Sequence, residues 1–105
     1  MTIQVHFLPE ATAELEHSIR WYEERHRGLG LAFLAAVDGT IESIVRWPGS
    51  GAPVTGVAGD LEVRRARVGR FPYHLVYLMD HDRIHVLAVA HDGRRPGYWH
   101  ARTEP

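Results

Sequence analysis

The 105-residue sequence contains no cysteine and no lysine. Without cysteine the chain can form neither a disulfide nor a thiolate site, and its composition is compatible with a reducing cytoplasm. All twelve basic residues are therefore arginine. Two explanations fit this choice: a GC-rich genome favours arginine codons, or bidentate contacts with phosphate or carboxylate groups were selected.

Long apolar runs are also missing. No stretch approaches the roughly 20 apolar residues of a membrane span, and residues 1–9 lack the basic start and apolar core of a signal peptide. We therefore expect a cytoplasmic protein without membrane contact. Hydrophobic residues make up 45% and charged residues 24%, as in compact globular proteins, and this length suits a single core. Residues 1–105 are expected to form one domain.

Charge is unevenly distributed along the chain. Residues 1–60 carry four arginines and eight acidic residues, whereas residues 61–105 carry eight arginines and five acidic residues. The net charge of −1 therefore hides a positive C-terminal part. Such a local excess of arginine indicates contacts with an anionic partner or substrate.

The N-terminal half predicts a strand and two helices. Apolar and polar residues alternate from Ile3 to Phe7, which predicts a short strand that stops at Pro9. Apolar residues spaced three and four apart predict a helix over 10–27, with Glu14 among the residues facing away from its apolar stripe. A second such pattern ends at Trp47, before a proline. The short glycine-containing break between the helices predicts an antiparallel hairpin.

The C-terminal half predicts an antiparallel three-stranded meander. Residues 48–60 are rich in proline and glycine and predict a loop. Strand-like runs follow at 61–68, 73–79 and 84–90, joined by connections too short for parallel crossovers. The fold class is therefore α+β, with the helical hairpin packed on one face of the sheet. Another element, such as a partner chain, is expected to cover the other face.

This order of elements, with the run Phe71-Pro72-Tyr73-His74-Leu75-Val76-Tyr77, resembles the RelE/ParE superfamily of toxins from type II toxin-antitoxin systems, also called plasmid stabilisation proteins. The apolar run 84–91 followed by Arg94-Arg95 is similar to the last strand of the family and its trailing H-x-R-R element. The resemblance spans nearly the whole chain. It implies a growth-arresting toxin that a cognate antitoxin silences in a hetero-oligomeric complex.

The family has two branches with different targets. RelE-like members cleave mRNA on the ribosome without a metal, and ParE-like members poison DNA gyrase. On the RelE pattern, Arg65, Arg67 and Tyr98 match functional residues, whereas His74 and Asp92 stand where arginines are expected.

The end of the sequence also departs from the RelE pattern. Pro96-Gly97 interrupts the final helix that carries the RelE tyrosine. The leading hypothesis is therefore a ParE-like toxin that targets DNA gyrase by protein contact. The alternative is a ribosome-dependent mRNA endonuclease in which His74 replaces the missing base or acid.

RNA cleavage through the 2′-hydroxyl needs a base, cations that stabilise the phosphorane, and an acid for the leaving oxygen. The sequence offers six candidates, which are Arg65, Arg67, His74, His91, Arg95 and Tyr98. Period 2 predicts that Arg65 and Arg67 share one strand face, and a tight meander places His74 and His91 on adjoining strands. In the alternative interpretation, the arginines form a solvated sheet face that binds acidic antitoxin residues. Tyr98 and Trp99 either stack on bases or fold back as an apolar lid over the sheet.

The eight histidines raise the question of a metal site. His81, His85 and His91 are the closest approach to a cluster, but their spacing fits no recognised zinc pattern. We expect neither a metal nor another cofactor.

Overall fold

A computed structural model of the protein describes residues 2–57 and 61–103. Within these ranges, two α-helices, five strands and two short 3₁₀ helices follow one another. The elements are β1 (Gln4–Phe7), α1 (Pro9–Arg25), α2 (Leu29–Arg46), a 3₁₀ helix (Pro48–Ser50), β2 (Ala52–Pro53), β3 (Val63–Arg67), β4 (Tyr73–Asp80), β5 (Arg83–His91) and a second 3₁₀ helix (His100–Thr103). No helix in these two ranges is both long enough and apolar enough to cross a lipid bilayer.

The helical hairpin forms as predicted, although α1 ends at Arg25, two residues before the predicted limit. Gly28 turns the chain with a φ of 88°, a backbone conformation that strongly favours glycine. The Glu23 carboxylate accepts hydrogen bonds from the backbone N–H groups of Gly28 and Gly30. It thereby satisfies donors that the first turn of α2 would otherwise leave unpaired.

The predicted meander is confirmed as the centre of a five-stranded sheet with the order β1-β5-β4-β3-β2. β3, β4 and β5 pair antiparallel, and β1 lies parallel to β5 at one edge. At the other edge, Ala52 and Pro53 pair with β3 inside the region predicted to be a loop. A two-residue edge strand that contains proline carries no periodic pattern to reveal it. Residues 58–60 of the predicted loop lie outside the described residues.

The helices cover one face of the sheet and form the larger core with it. Phe33, Val37 and Ile44 of α2 pack with the β4 side chains Leu75 and Tyr77, all essentially without solvent exposure. Period-2 alternation in β4 and period-3.6 recurrence in α2 place these apolar side chains on facing surfaces. This packing confirms the predicted α+β arrangement.

The opposite face of the sheet is covered in part by the chain itself. Residues 94–103, here called the C-terminal segment, fold back across it. Trp99 is only 4% exposed and packs with Val63, Val76, Leu87 and Ala88. The sequence analysis expected another element to cover this face of the sheet, and the C-terminal segment of the same chain is part of that cover.

Candidate functional site

Three of the six candidate residues lie together on the face opposite the helices. Arg65 pairs in register with Val76, which packs with Trp99, and Arg67 pairs with His74. Because alternate residues of a strand share a face, these three side chains emerge side by side. The period-2 prediction for Arg65 and Arg67 is thus confirmed.

Arg65 and His74 line a basic groove of about 410 Å³ that runs between β2 and the C-terminal segment. An adjoining pocket, to which Arg67 contributes together with Arg65 and His74, continues the groove. One wall is formed by residues 53–55 and the other by residues 94–100, while Val76, Ala90 and Trp99 contribute apolar surface. Arg95 stands exposed along the same groove. The groove therefore combines several guanidinium groups with an apolar lining.

A carboxylate lies among these cations. Asp92 Oδ1 is 3.0 Å from Nδ1 of His74, and Asp92 Oδ2 is 3.6 Å from Nη1 of Arg67. The backbone N–H of Asp92 also donates to the carbonyl of Pro72 over 2.8 Å, which fixes the main chain that presents this side chain. Asp92 is 39% exposed, so its charge is only partly screened by water. It offsets positive charge at the position where the RelE pattern expects an arginine.

His91 borders both this groove and a pocket on the helix side of the sheet. It pairs in register with Tyr73, and the two rings meet edge to face with centroids 5.1 Å apart. Tyr73 is part of the helix-side core, whereas its neighbour His74 faces the groove. The prediction that His74 and His91 lie on adjoining strands is correct, but their side chains are on opposite faces of the sheet.

Tyr98 directs its hydroxyl away from the groove. The hydroxyl donates to Oε2 of Glu14 on α1 over 2.7 Å. Burial raises the pKa of Tyr98, and the hydrogen bond to the Glu14 carboxylate raises it further. The Arg94 guanidinium lies 4.0 Å above the ring and holds it by a cation–π contact. With Trp99 buried beside it, this arrangement corresponds to the lid expected in one of the two interpretations.

Glu14 is the residue that sequence reasoning misplaced. It was predicted to face solvent, but its side chain is 17% exposed and accepts four hydrogen bonds. These come from the Val89 N–H at 3.0 Å, the Tyr98 hydroxyl, and the two terminal nitrogens of Arg102 at 2.9 and 3.1 Å. A carboxylate saturated in this way is a fixed structural element.

Glu14 and Arg102 bind backbone groups of β5 that β1 leaves without a partner. β1 ends at Phe7, and the last backbone bond from this part of the chain to β5 joins Leu8 N–H to the Val86 carbonyl. Beyond that point, Glu14 binds the Val89 N–H and Arg102 binds the Leu87 carbonyl at 2.9 Å. Two side chains thus continue the pairing that β1 leaves unfinished.

One signal in the sequence could have indicated this burial. The two buried residues of α1 are Ala11 and Ser18, and both are small. Glu14 lies three residues after the first and four before the second, hence on the same side of the helix. The partners of Glu14, by contrast, lie 75 to 88 residues away and no local pattern points to them.

The histidines considered for a metal do not converge. His81 occupies the turn after β4 with a φ of 55°, and His85 and His91 lie six residues apart on β5, about 20 Å in an extended strand. Across residues 2–57 and 61–103, no three His, Cys, Asp or Glu side chains are grouped to hold a metal ion.

Residues 5–96 match the family described as ParE toxin of type II toxin-antitoxin system, parDE. The chain therefore belongs to the ParE toxin family, within the RelE/ParE superfamily that the sequence resembles. None of the curated proteins matches the chain.

Among the solved structures that share the fold are two with the following similarity to this chain. A structure of the chromosomal ParDE toxin-antitoxin system from P. aeruginosa is similar with a TM-score of 0.70 and 16% identity, covering 86% of this chain and 96% of the other. The YoeB dimer from Staphylococcus aureus is similar with a TM-score of 0.57 and 17% identity, covering 85% and 95%. Identities this low indicate a common architecture and nothing finer.

Proposed function

We propose that this ParE-family toxin arrests bacterial growth by binding DNA gyrase, and that it acts as a docking protein in the cytoplasm. Residues 1–105 serve as one toxin domain in this proposal. The observation that carries it is the Asp92 carboxylate, which lies between Arg67 and His74. A phosphorane develops negative charge, and a fixed carboxylate at that place opposes it.

The other candidate catalytic groups support the same conclusion. The Tyr98 hydroxyl is engaged by Glu14, and its raised pKa makes it a weaker acid near neutral pH. His91 packs against Tyr73 on the far face of the sheet. Five of the six candidates border the groove, and Arg67 lines the adjoining pocket beside Asp92. With Tyr98 held by Glu14 and His91 packed against Tyr73, this arrangement supports docking over proton transfer.

A cognate antitoxin completes the proposal. The matching family belongs to toxin-antitoxin systems, and the similar P. aeruginosa structure is of a ParDE system. We therefore expect this toxin to be held inactive in a hetero-oligomer with an antitoxin. Its positive C-terminal half suits an acidic partner.

The test is to induce the toxin alone and to follow DNA replication and protein synthesis in the same culture. Replication stops first, with DNA breaks linked to gyrase, and purified toxin inhibits supercoiling by purified gyrase. Toxin mixed beforehand with its antitoxin is the matched control and leaves supercoiling intact. Early mRNA cleavage with intact DNA contradicts the gyrase proposal. Induction without any growth defect indicates a toxin that has lost activity.

A second candidate function is ribosome-dependent mRNA cleavage. It is favoured by the shared groove that gathers Arg65, Arg67, His74 and Arg95. In that case, Arg65→Ala and Tyr98→Phe abolish toxicity, new mRNA 5′ ends appear on induction of the unaltered toxin, and antitoxin binding persists in both variants. Loss of toxicity through changes on the helical hairpin, with both groove variants still toxic, favours docking instead.

A further inference from the structure

We propose that Asp92 is a site of spontaneous covalent modification, where its carboxyl group and the backbone nitrogen of Gly93 close into a cyclic imide that reopens to aspartate or isoaspartate. The sequence contains two Asp-Gly pairs, Asp38-Gly39 and Asp92-Gly93. Glycine favours ring closure because no side chain hinders its nitrogen. The structure surrounds Asp92-Gly93 with the groups that the reaction needs, and this chemistry does not depend on the target of the toxin.

The reaction forms a bond between two neighbouring residues. The Gly93 nitrogen attacks the side-chain carboxyl carbon of Asp92 and a C–N bond forms. The nitrogen gives up its proton, and one carboxylate oxygen departs as water after taking up two protons, that proton and one from a donor. Water then adds to one carbonyl of the imide and breaks its C–N bond. Opening at the side-chain carbonyl restores aspartate, and opening at the main-chain carbonyl leaves isoaspartate.

A base for the amide proton is in place at His91. The Gly93 N–H donates to Nδ1 of His91 over 2.8 Å, so this ring nitrogen directs a lone pair at the proton that must leave. Proton transfer to a positioned imidazole accelerates such steps. The ring is held edge to face against Tyr73, with the centroids 5.1 Å apart. The base therefore has a fixed position.

The carboxyl group of Asp92 has partners for its charge and for the departing oxygen. His74 Nδ1 lies 3.0 Å from Oδ1, and Arg67 Nη1 lies 3.6 Å from Oδ2. The N–H that His74 directs at Oδ1 can supply the second proton of the leaving water. The guanidinium stabilises negative charge on the other oxygen as the nitrogen adds. Base and acid thus stand on the two sides of the reacting bond.

The backbone at Asp92 can reach the geometry of attack. Asp92 and Gly93 are exposed and lie in a turn that a hydrogen bond from the Arg94 N–H to the His91 carbonyl closes over 3.0 Å. Attack requires rotation about the Cα–C bond of Asp92. This rotation leaves the bond from the Asp92 N–H to the Pro72 carbonyl in place. A turn at the end of a strand opens locally at small cost.

The pair Asp38-Gly39 is an internal control with the same two residues. Both are exposed, so water reaches them as it reaches Asp92-Gly93. They lie inside α2, where helical backbone angles hold the carboxyl carbon away from the next nitrogen and the Gly39 N–H belongs to the hydrogen-bond ladder of the helix. Ring closure at Asp38 would break the helix. The two pairs therefore differ in structure and share their chemistry.

Isoaspartate at position 92 changes the turn that leads into the C-terminal segment. The backbone gains a methylene just before Arg94, and the carboxylate moves to a shorter branch of the chain. The contacts with Arg67 and His74 are then lost. The modified toxin differs from the unmodified one in the charge pairing of this turn.

The experiment is to store the full-length toxin at physiological temperature and pH and to measure isoaspartate over time. Tryptic peptides 84–94 and 28–46 separate the two pairs, and electron-transfer fragmentation distinguishes isoaspartate from aspartate. Asp92 accumulates isoaspartate about fivefold or more faster than Asp38, and the imide appears as the loss of one water from peptide 84–94. In urea the two pairs react at similar rates, and Asp92 reacts no faster there than in the folded toxin.

Two variants test the assigned base. His91→Phe keeps a ring against Tyr73 but removes the acceptor of the Gly93 proton, and it slows the reaction at Asp92 about threefold or more. His85→Phe changes a histidine elsewhere on β5 and leaves the rate at Asp92 unchanged. The rate at Asp38 is the same in both variants.

Three results would overturn the proposal. Folded toxin in which Asp92 and Asp38 react equally slowly would show that the turn gives Asp92 no advantage. A slower reaction at Asp92 in the folded toxin than in urea would show that its ion pair protects it. An unchanged rate in His91→Phe, in a variant whose circular dichroism matches the unaltered toxin, would remove the imidazole from the reaction.

Discussion

The ion pair between Glu14 and Arg102 leads to a quantitative prediction about stability. Arg102→Met keeps much of the length and apolar character of the side chain but removes the guanidinium. Glu14 then loses two of its four hydrogen-bond donors, and the Leu87 carbonyl loses the donor that Arg102 supplies. The carboxylate stays mostly buried, with Tyr98 and the Val89 N–H as its remaining partners.

The magnitude follows from the burial of the pair. Removing one partner of a fully buried ion pair reduces the free energy of unfolding by about 3–5 kcal/mol. Here the two side chains are 16% and 17% exposed, so water compensates part of the loss. We expect a decrease of about 2–3 kcal/mol, which in a domain of this size lowers the melting temperature by roughly 10 °C.

Urea denaturation followed by circular dichroism measures this change, and a double-mutant cycle with Glu14→Gln isolates the pair. We expect a coupling energy of about 1–2 kcal/mol between positions 14 and 102. Arg95→Met is the matched control, because Arg95 lies in the same C-terminal segment but is exposed; it changes stability by less than about 0.5 kcal/mol. If Arg102→Met destabilised no more than Arg95→Met, the structural role assigned to Glu14 would be refuted.

Three further predictions concern other parts of the fold. Gly30→Ala places a Cβ 2.7 Å from a backbone carbonyl of α1 and lowers the free energy of unfolding by about 1–3 kcal/mol. Gly39→Ala is the control, because the position has open space around it, and it raises the free energy of unfolding by about 0.5–1 kcal/mol. Chemical denaturation of both variants tests the close contact between the helices. The pKa of Tyr98 is raised above the ordinary value of 10.0, so its contribution to stability is present at neutral pH and is lost as the pH rises above about 10. Stability of the unaltered protein should therefore fall more steeply above that pH than stability of Tyr98→Phe, and equal slopes would contradict the assigned hydrogen bond. Trp99→Ala removes a buried indole and costs about 3–5 kcal/mol, while Trp47→Ala, at an exposed position, has a small effect in the same thermal unfolding assay.

The elements that sequence patterns predicted are those with strong local signals. Alternation located β1, strand-like runs bounded by turn residues located β3, β4 and β5, and apolar recurrence located both helices to within a few residues. β2 was missed because two residues, one of them proline, cannot show a period. The sequence did not decide whether Tyr98 and Trp99 stack on bases or fold back over the sheet. The contacts that hold the C-terminal segment in place are made with a carboxylate on α1 and with apolar side chains of the sheet, both distant in sequence.

The candidate site was predictable to the same limited extent. Period-2 spacing placed Arg65 and Arg67 on one face, and the departure from the family pattern at Asp92 was visible in the sequence. That Asp92 meets both Arg67 and His74 depends on strand register and on the turn after β5. The face of His91 could not be predicted, because adjacency of the strands was known but the pairing of His91 with Tyr73 was not.

The position of β1 at the edge of the sheet has a consequence for how the toxin folds. Val5 pairs with Ile84, so the first strand of the chain has no strand partner until the last strand has formed. Glu14 depends in the same way on Arg102. Contacts this distant in sequence slow folding, because a long loop must close before they form. We therefore expect β1 to pair with β5 late in folding, when the N-terminal strand meets the C-terminal part of the sheet.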